Sequence, residues 1–267
     1  MILLSFDIEE FDLPLKHGVD LSFEKQIEYS KEGTRIILEI LSKNQVKATF
    51  FCTAVFAINA RELITEIIRQ GHEVASHGYS HGSFTKEDLI RSKIKLEEIV
   101  GQSVNGYRMA YMMKIDIKDI AEAGYIYDSS INPTFIPGRY NNLQLSRSCY
   151  LDNGILELPA SVSPVVRVPL FWLSMHNFPL CFYIYLCKRA LKKDGYLNVY
   201  FHSWEFSSHL HDKGLKVPAI VRRNSGNKLR KRLEHIIQLF LSQGESFQSI
   251  ADFVDKYLDK NGLENDR

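Results

Sequence analysis

Hydrophobic and polar positions along this chain fall into short blocks whose period switches between that of a strand and that of a helix. Residues 2–7 form an apolar run of strand character, and residues 46–52 a second one rich in aromatic and β-branched side chains. Between them, Ile27, Ile36, Ile37, Ile40 and Leu41 make one apolar face of a helix over 23–43. Residues 57–70 predict a helix stopped by Gly71, and 73–76 a short strand leading into His77. Thr85 reads as the N-cap of a helix through Val100, with Glu87 and Asp88 in its first turn. Residues 106–109 and 125–128 predict strands flanking a helix over 116–123 that Gly124 ends. This alternation argues for a parallel sheet, open or closed.

The middle of the chain is less regular. Residues 132–142 hold Pro133, Pro137 and Gly138 and read as a loop. Short tandem strands are expected near 143–150 and 155–158, an apolar irregular stretch over 164–179, and a helix over 180–193 with basic residues at its end. Residues 197–201 predict the strand that delivers His202. An amphipathic helix over 227–241, a short strand from Phe247 and a closing helix over 250–258 complete the pattern. No internal repeat or linker interrupts it, so residues 1–267 are expected to form a single catalytic domain.

Composition narrows the class. The chain has 267 residues, 45% of them hydrophobic and 24% charged, as in ordinary globular proteins. A net charge of +1 gives no global bias toward nucleic acid or membrane. Cys52, Cys149, Cys181 and Cys187 form no CxxC pair and read mostly as buried, reduced thiols. No charged and apolar leader precedes the first strand, and that strand carries the candidate site. A secretory signal is therefore not expected, and the expected compartment is the cytoplasm.

Candidate chemistry gathers at strand ends. Asp7 and Glu9 are two apart in extended backbone and so face the same side. Two buried carboxylates there repel each other unless a cation or proton intervenes. His77 and His81, Arg108, Asp128 and His202 likewise sit at or just after predicted strands, and their shared address is that of an enzyme cleft. Each alone has a blander reading: a bare HxxxH pair is usually coincidence, Arg108 an ion-pair partner, His202 a satisfied core histidine. One carboxylate with two imidazoles suits a borderline divalent ion such as Zn²⁺, with a position left open.

The chain resembles the polysaccharide deacetylase family, also called the NodB-homology or carbohydrate esterase 4 family. Its motifs stand here in family order: SFDIEEFD at 5–12, SHGYSH at 76–81, YRMAY at 107–111, GYIYDSS at 124–130 and FHSWE at 201–205. The SFDIE form is similar to a signal-less subgroup with peptidoglycan deacetylase-like, exopolysaccharide deacetylase-like and allantoinase-like members. The resemblance implies a distorted (β/α) barrel of about seven parallel strands, and hydrolysis of an N-acetyl group on an amino sugar in a polysaccharide or glycan precursor. It implies Asp7 as catalytic base, Glu9 as metal-binding acid, and His77 and His81 as metal-binding histidines, most often for zinc. Arg108 would orient and charge-pair the base, the Tyr111 backbone N–H would help hold the oxyanion, and His202 would be the general acid. Such a histidine needs an acceptor on its other nitrogen, for which Glu157 and Asp128 are candidates; their bland readings are a solvated strand end and a turn residue capping backbone with Ser129 and Ser130. Two departures stand out. Ala110 replaces the family's proline, which loosens the turn presenting Tyr111, and Glu9 replaces the commoner aspartate.

Alternatives remain at this level: an allantoinase-like amidase on a small cyclic amide, against which the intact His77 and His81 pair argues, and a carbohydrate-binding pseudo-deacetylase, supported by Ala110 alone. Tyr140, Tyr150 and Trp204 are candidates for stacking on substrate sugar rings, against the commoner role of filling a core. The apolar stretch 165–193, ending in Lys188, Arg189, Lys192 and Lys193, is read either as a peripheral contact with membrane or a lipid-linked glycan or as a loop and helix covering the barrel, the second being favoured. The basic cluster of Arg222, Arg223, Lys228, Arg230, Lys231 and Arg232 has no interleaved aromatics, so no nucleic-acid partner is expected. A phosphate or an acidic glycan is a further reading of it, a solvated helix face the commoner one. Oligomeric state is not readable from the sequence.

Overall fold

A computed structural model describes residues 1–262. The first strand, Ile2–Ile8, is buried at every position, as expected of a strand covered on both faces. Its even-numbered residues Ile2, Leu4, Phe6 and Ile8 pack outward with Ile37, Ile40 and Leu41 of the helix Phe23–Asn44. Leu3 packs inward with Phe51, Ala75, Tyr127 and Leu156, and by the strand's period of two Asp7 shares that inner side.

Seven strands run parallel in the order Leu197–His202, Ile2–Ile8, Thr49–Cys52, Glu73–Ser76, Gly106–Tyr107, Tyr127–Asp128 and Ile155–Glu157. Tyr150–Asp152 adds an antiparallel edge, and Phe247–Gln248 pairs with the start of the first strand. The sheet curls into a distorted barrel with helices outside. A few separate main-chain and side-chain bonds rather than a regular ladder bridge its seam. Ser161 N donates to Asn198 O (2.8 Å), Asn198 N donates to Ser161 Oγ (2.9 Å), and Asn198 Nδ2 reaches Leu158 O (3.3 Å) and Pro159 O (3.2 Å).

The strands' amino ends are closed by the helix Ile250–Lys260. Its first N–H groups are satisfied from inside the barrel, Ile250 N by Thr49 Oγ1 (2.8 Å) and Ala251 N by Glu73 Oε2 (2.9 Å), while Ile250, Phe253 and Val254 fill the interior. Only the carboxyl ends of the strands are left to hold a site.

Several elements differ from expectation. The helix expected over 57–70 is two, Ala54–Asn59 and Arg61–Arg69, because Thr53 caps the first by accepting from Phe56 N and Ala60 leaves helical backbone. Residues 132–142 contain a hairpin, Phe135–Ile136 with Tyr140–Asn141, turned by Pro137 and Gly138, the latter at φ +75°. The irregular stretch over 164–179 holds the helix Trp172–Asn177. The strand expected over 143–150 is instead Tyr150–Asp152. Thr85 is not the helix cap; Lys86 is, and Asp88 reaches back to accept from Thr85 N (2.9 Å). The helix Leu180–Asp194 buries Tyr183, Leu186, Cys187 and Ala190 against the barrel. Among the described residues no helix is long and apolar enough to cross a membrane. The four cysteines are free; Cys52 and Cys187 are buried, Cys149 is half-buried and Cys181 exposed.

Candidate metal and catalytic site

The first strand carries Asp7 and Glu9 to the open end of the barrel. Both are buried. The strand Glu73–Ser76 runs into His77, and Gly78 at φ +84° lets the chain turn back so that His81 faces the same point. The amino end of the helix Ala54–Asn59 holds this loop, Ala54 N donating to Gly78 O (3.0 Å) and Val55 N to Tyr79 O (2.9 Å). His81 N donates to the buried Glu10 carboxylate (3.4 Å), which also accepts from Thr53 Oγ1 (2.6 Å).

Glu9 Oε2 lies 3.1 Å from His77 Nε2 and 2.9 Å from His81 Nε2. The outer nitrogens of both rings are committed: His77 Nδ1 donates to Arg108 O (2.9 Å), and His81 Nδ1 lies 3.1 Å from Asp12 Oδ1. This fixes Nε2 as the inward ligand atom on each ring. Trp204 Nε1 donates to Glu9 Oε1 (2.9 Å), leaving Oε2 turned toward the imidazoles. One ligand atom from each of Glu9, His77 and His81 falls within 4.8 Å of the others. Burial alone would raise the Glu9 carboxyl, but the imidazoles of His81, His202 and His77 hold it well below its ordinary range. At His81, burial works against the charged ring, yet Glu9 and Asp12 push it up to about 10. With protons alone to balance it, the cluster demands positive charge, and its donor set fits a divalent cation.

Asp7 faces the same cavity. Arg108 Nη1 donates to Asp7 Oδ1 (2.7 Å); its Nε and Nη2 are held by Ser129 O (3.1 Å) and Ser129 Oγ (3.1 Å). The guanidinium is fully buried between Phe51 and Tyr200, 4.0 and 5.0 Å from the ring centres. His202 Nε2 lies 3.9 Å from Asp7 Oδ2. Its Nδ1 is held by Glu205 Oε1 at 2.7 Å. Burial disfavours a charged imidazole here, but the bond to Glu205 and the charges of Glu9 and Asp7 outweigh it and raise the His202 pKa.

A cavity of 330 Å³ opens over these groups, lined by Asp7, Glu9, His81, Tyr111, Tyr140, Trp172, His202 and Trp204 among others. Asp7, Glu9, His77, His81, Arg108, Tyr111 and His202 thus come together. Of the three aromatic candidates, Tyr150 lines a neighbouring hollow and not this cavity. Tyr140 lines the cavity, its hydroxyl accepting from Asn132 Nδ2 (3.1 Å). Trp204 also lines the cavity; it is buried, stacked on His202 (4.9 Å) and packed on Phe11 (5.0 Å), with its indole N–H committed to Glu9.

The acceptor for His202 is also corrected. Asp128 accepts from Ser130 N (3.0 Å) and Oγ (2.6 Å), its expected turn role, and pairs with Glu157 on the next strand. Burial raises both carboxyls, and their mutual repulsion adds to this at Glu157; neither reaches His202. Glu205 takes that place, three residues on, within the 3-10 turn Ser203–Phe206.

Asp12, Glu205 and Trp172 were missed as site residues. The first two lie inside the quoted motifs but show their role only when the chain folds; Trp172 stands edge-on to His202 at 4.9 Å. Tyr111 sits at φ +58° and Met112 at +51°, two consecutive left-handed non-glycine residues. The Tyr111 hydroxyl donates to Asp12, and its ring packs 4.1 Å from His81. The basic cluster disperses: Arg230 pairs with Glu39 and Glu234, Arg232 holds Phe178 O, and Arg222, Arg223 and Lys228 line a separate hollow.

A model of the polysaccharide deacetylase family matches residues 14–123, which include His77, His81, Arg108 and Tyr111. Over these residues the chain is similar to the polysaccharide deacetylase family. It is 34% identical over 96 residues to a peptidoglycan-N-acetylglucosamine deacetylase of Bacillus cereus, covering 35% of this chain and 31% of that protein. The chain spans about a third of the length of the first curated relatives it matches. A polysaccharide deacetylase homologue from Mycobacterium smegmatis superposes with a TM-score of 0.66 at 21% identity, over 98% of this chain and 91% of the other. The allantoinase PuuE superposes at 0.64 with 14% identity, over 99% and 91%. Likeness at these identities establishes the fold of the family and leaves the activity to the residues of the site.

Proposed function

We propose that this protein is a polysaccharide deacetylase, a metal-dependent hydrolase that removes the N-acetyl group from an amino sugar in a glycan or glycan precursor. One observation carries the reading: a carboxylate, Asp7, and an imidazole, His202, flank one cavity beside the converged ligand atoms of Glu9, His77 and His81. The name of the Bacillus cereus relative supports the substrate class.

Glu9, His77 and His81 would hold a divalent cation, most often zinc in a site of this type, and when bound it would supply Lewis acidity toward the amide carbonyl and make water more acidic. The rest is done by the chain. Arg108 engages Oδ1 of Asp7, so Oδ2 is the oxygen presented to an attacking water, whose proton it accepts as general base. Because Glu205 holds Nδ1 of His202, Nε2 is the nitrogen that faces the substrate. A raised pKa favours the charged form of this imidazole, whose Nε2 proton then passes to the departing amine nitrogen. Once the amine has left, loss of the water-derived proton from Asp7 and reprotonation of His202, whose Nε2 stands 3.9 Å from Asp7 Oδ2, restore both groups through solvent. The Tyr111 N–H serves as an oxyanion donor, a contribution of about 3 kcal/mol in comparable sites. Trp172 and Tyr140 wall the cavity beside the sugar.

The test is simultaneous measurement of acetate and free amine from N-acetylchitooligosaccharides, lipid-linked N-acetylated sugars and sugar nucleotides, with allantoin as a parallel substrate. Equimolar acetate and amine from a saccharide is expected. Turnover of allantoin alone would overturn the substrate class, and binding of saccharide with no acetate from any would overturn the activity.

A further inference from the structure

Behind His202, on the side away from the cavity, a second imidazole lies fully buried. His176 stands on the helix Trp172–Asn177. Its Nδ1 is 2.8 Å from Val221 O, and its Nε2 is 2.7 Å from Glu205 Oε2. Glu205, also fully buried, uses Oε1 to accept from His202 N (2.6 Å) and His202 Nδ1 (2.7 Å).

A proton count follows from these contacts. A peptide carbonyl only accepts, so His176 Nδ1 carries a hydrogen. A neutral imidazole has one N–H, and Val221 uses it. The 2.7 Å contact to Glu205 therefore contains a further proton, on His176 Nε2 or on the carboxyl itself. In either place the Glu205–His176 pair is neutral as a unit. A lone buried carboxylate would instead direct its whole charge at His202.

The surroundings provide no substitute for that proton. Glu205 is faced by His176 and His202, with the Tyr183 hydroxyl, the Cys187 thiol and Arg232 beyond. His202 is faced by Glu205, by Asp7 and Glu9 across the cavity, and by the rings of Trp172, Tyr200 and Trp204. Every other charged group near His202 is thus an anion or is already engaged with one.

We infer that His176 is a positioning residue for the general acid: by holding a proton against Glu205 it sets how much of that carboxylate's charge reaches His202. The inference rests on the reading of His202 as the acid. Too strong an anion at Nδ1 makes His202 a stronger base and a weaker acid; a neutralised partner keeps the ring oriented while leaving Nε2 able to give up its proton.

The test is His176→Gln, which keeps a neutral N–H donor toward Glu205 and removes the extra proton. Two readouts are taken on metal-loaded protein: the pH profile of kcat/KM on the best saccharide substrate, and the His202 titration from long-range ¹H–¹⁵N spectra of histidine-labelled protein, which needs no turnover. The expected result is an upward move of the His202 titration and of the alkaline limb by about one unit or more, the size of an uncompensated charge within hydrogen-bond range. A fall in kcat at neutral pH with KM unchanged should accompany it. An unmoved titration overturns the inference, whatever the substrate proves to be. Absence of turnover on every substrate, with the titration still moved, would sink the deacetylase reading and leave the proton arrangement standing. If the variant fails to fold, the wild-type spectrum decides. A proton on Nε2 as well as Nδ1 of His176, or a protonated Glu205 carboxyl, is expected; a His176 with hydrogen on Nδ1 alone beside an ionised Glu205 overturns it.

Discussion

Asp12→Asn offers a measured test of how the ligand cluster is held. Asp12 Oδ1 lies 3.1 Å from His81 Nδ1, while its other oxygen takes the Tyr111 hydroxyl and approaches Lys16 Nζ at 4.0 Å. The carboxylate fixes the ring tautomer and strengthens Nε2 as a ligand. Asparagine keeps the shape but loses the charge, and its amide cannot accept from both His81 and Tyr111. Loss of such outer partners costs about 10- to 100-fold in metal affinity, or about 1.4–2.7 kcal/mol. The Tyr111 hydroxyl sits 3.0 Å from the same His81 nitrogen and stays in place, so the single variant should fall near tenfold and Asp12→Asn with Tyr111→Phe near a hundredfold. Titrating Zn²⁺ into metal-free protein against a chromophoric chelator measures this, and kcat at saturating metal should stay close to wild type for Asp12→Asn. Affinity within twofold of wild type in the double variant would refute the claim that these groups orient a metal ligand.

Three further outcomes are expected. Asp7→Asn should bind Zn²⁺ as tightly as wild type yet lose about 10²–10⁴ in kcat, checked by metal content and acetate release on the same sample. Glu205→Gln leaves an amide oxygen to accept from His202 Nδ1 but removes the charge that helps raise the His202 pKa, so the alkaline limb of the kcat/KM profile should move to lower pH, opposite to His176→Gln. Gly33→Ala would place a Cβ 1.8 Å from Ser203 O, where the long helix meets the turn carrying Trp204 and Glu205. It should cost about 1–3 kcal/mol, read as a fall of about 2–4 °C in Tm per kcal/mol, with kcat reduced as well.

The core of this site was legible because strand geometry is local. Asp7 and Glu9 share a side by the period of two, and His77, Arg108 and His202 each follow a strand whose partners lie beside one another in the sheet. The groups that tune those residues were not legible, because no periodicity reports them. Asp12 meets His81 across 69 positions, and His176 meets Glu205 across 29 through a helix hidden in a proline-flanked apolar stretch. Trp204 was read from its ring alone, and the bond of its indole N–H to Glu9, 195 positions away, was not legible. Glu157 and Asp128 were read as acceptors for His202 because they are carboxylates near strand ends, but they face each other across neighbouring strands. The Pro137–Gly138 pair marked a turn, and reading it as a loop alone overlooked the two short strands on either side.

Anomalous diffraction from zinc-soaked crystals tests the centre of this account most directly. One strong peak is expected within about 2.0–2.2 Å of Glu9 Oε2, His77 Nε2 and His81 Nε2 together. Zinc bound elsewhere at full occupancy, with those three atoms left bridged by protons, would contradict it.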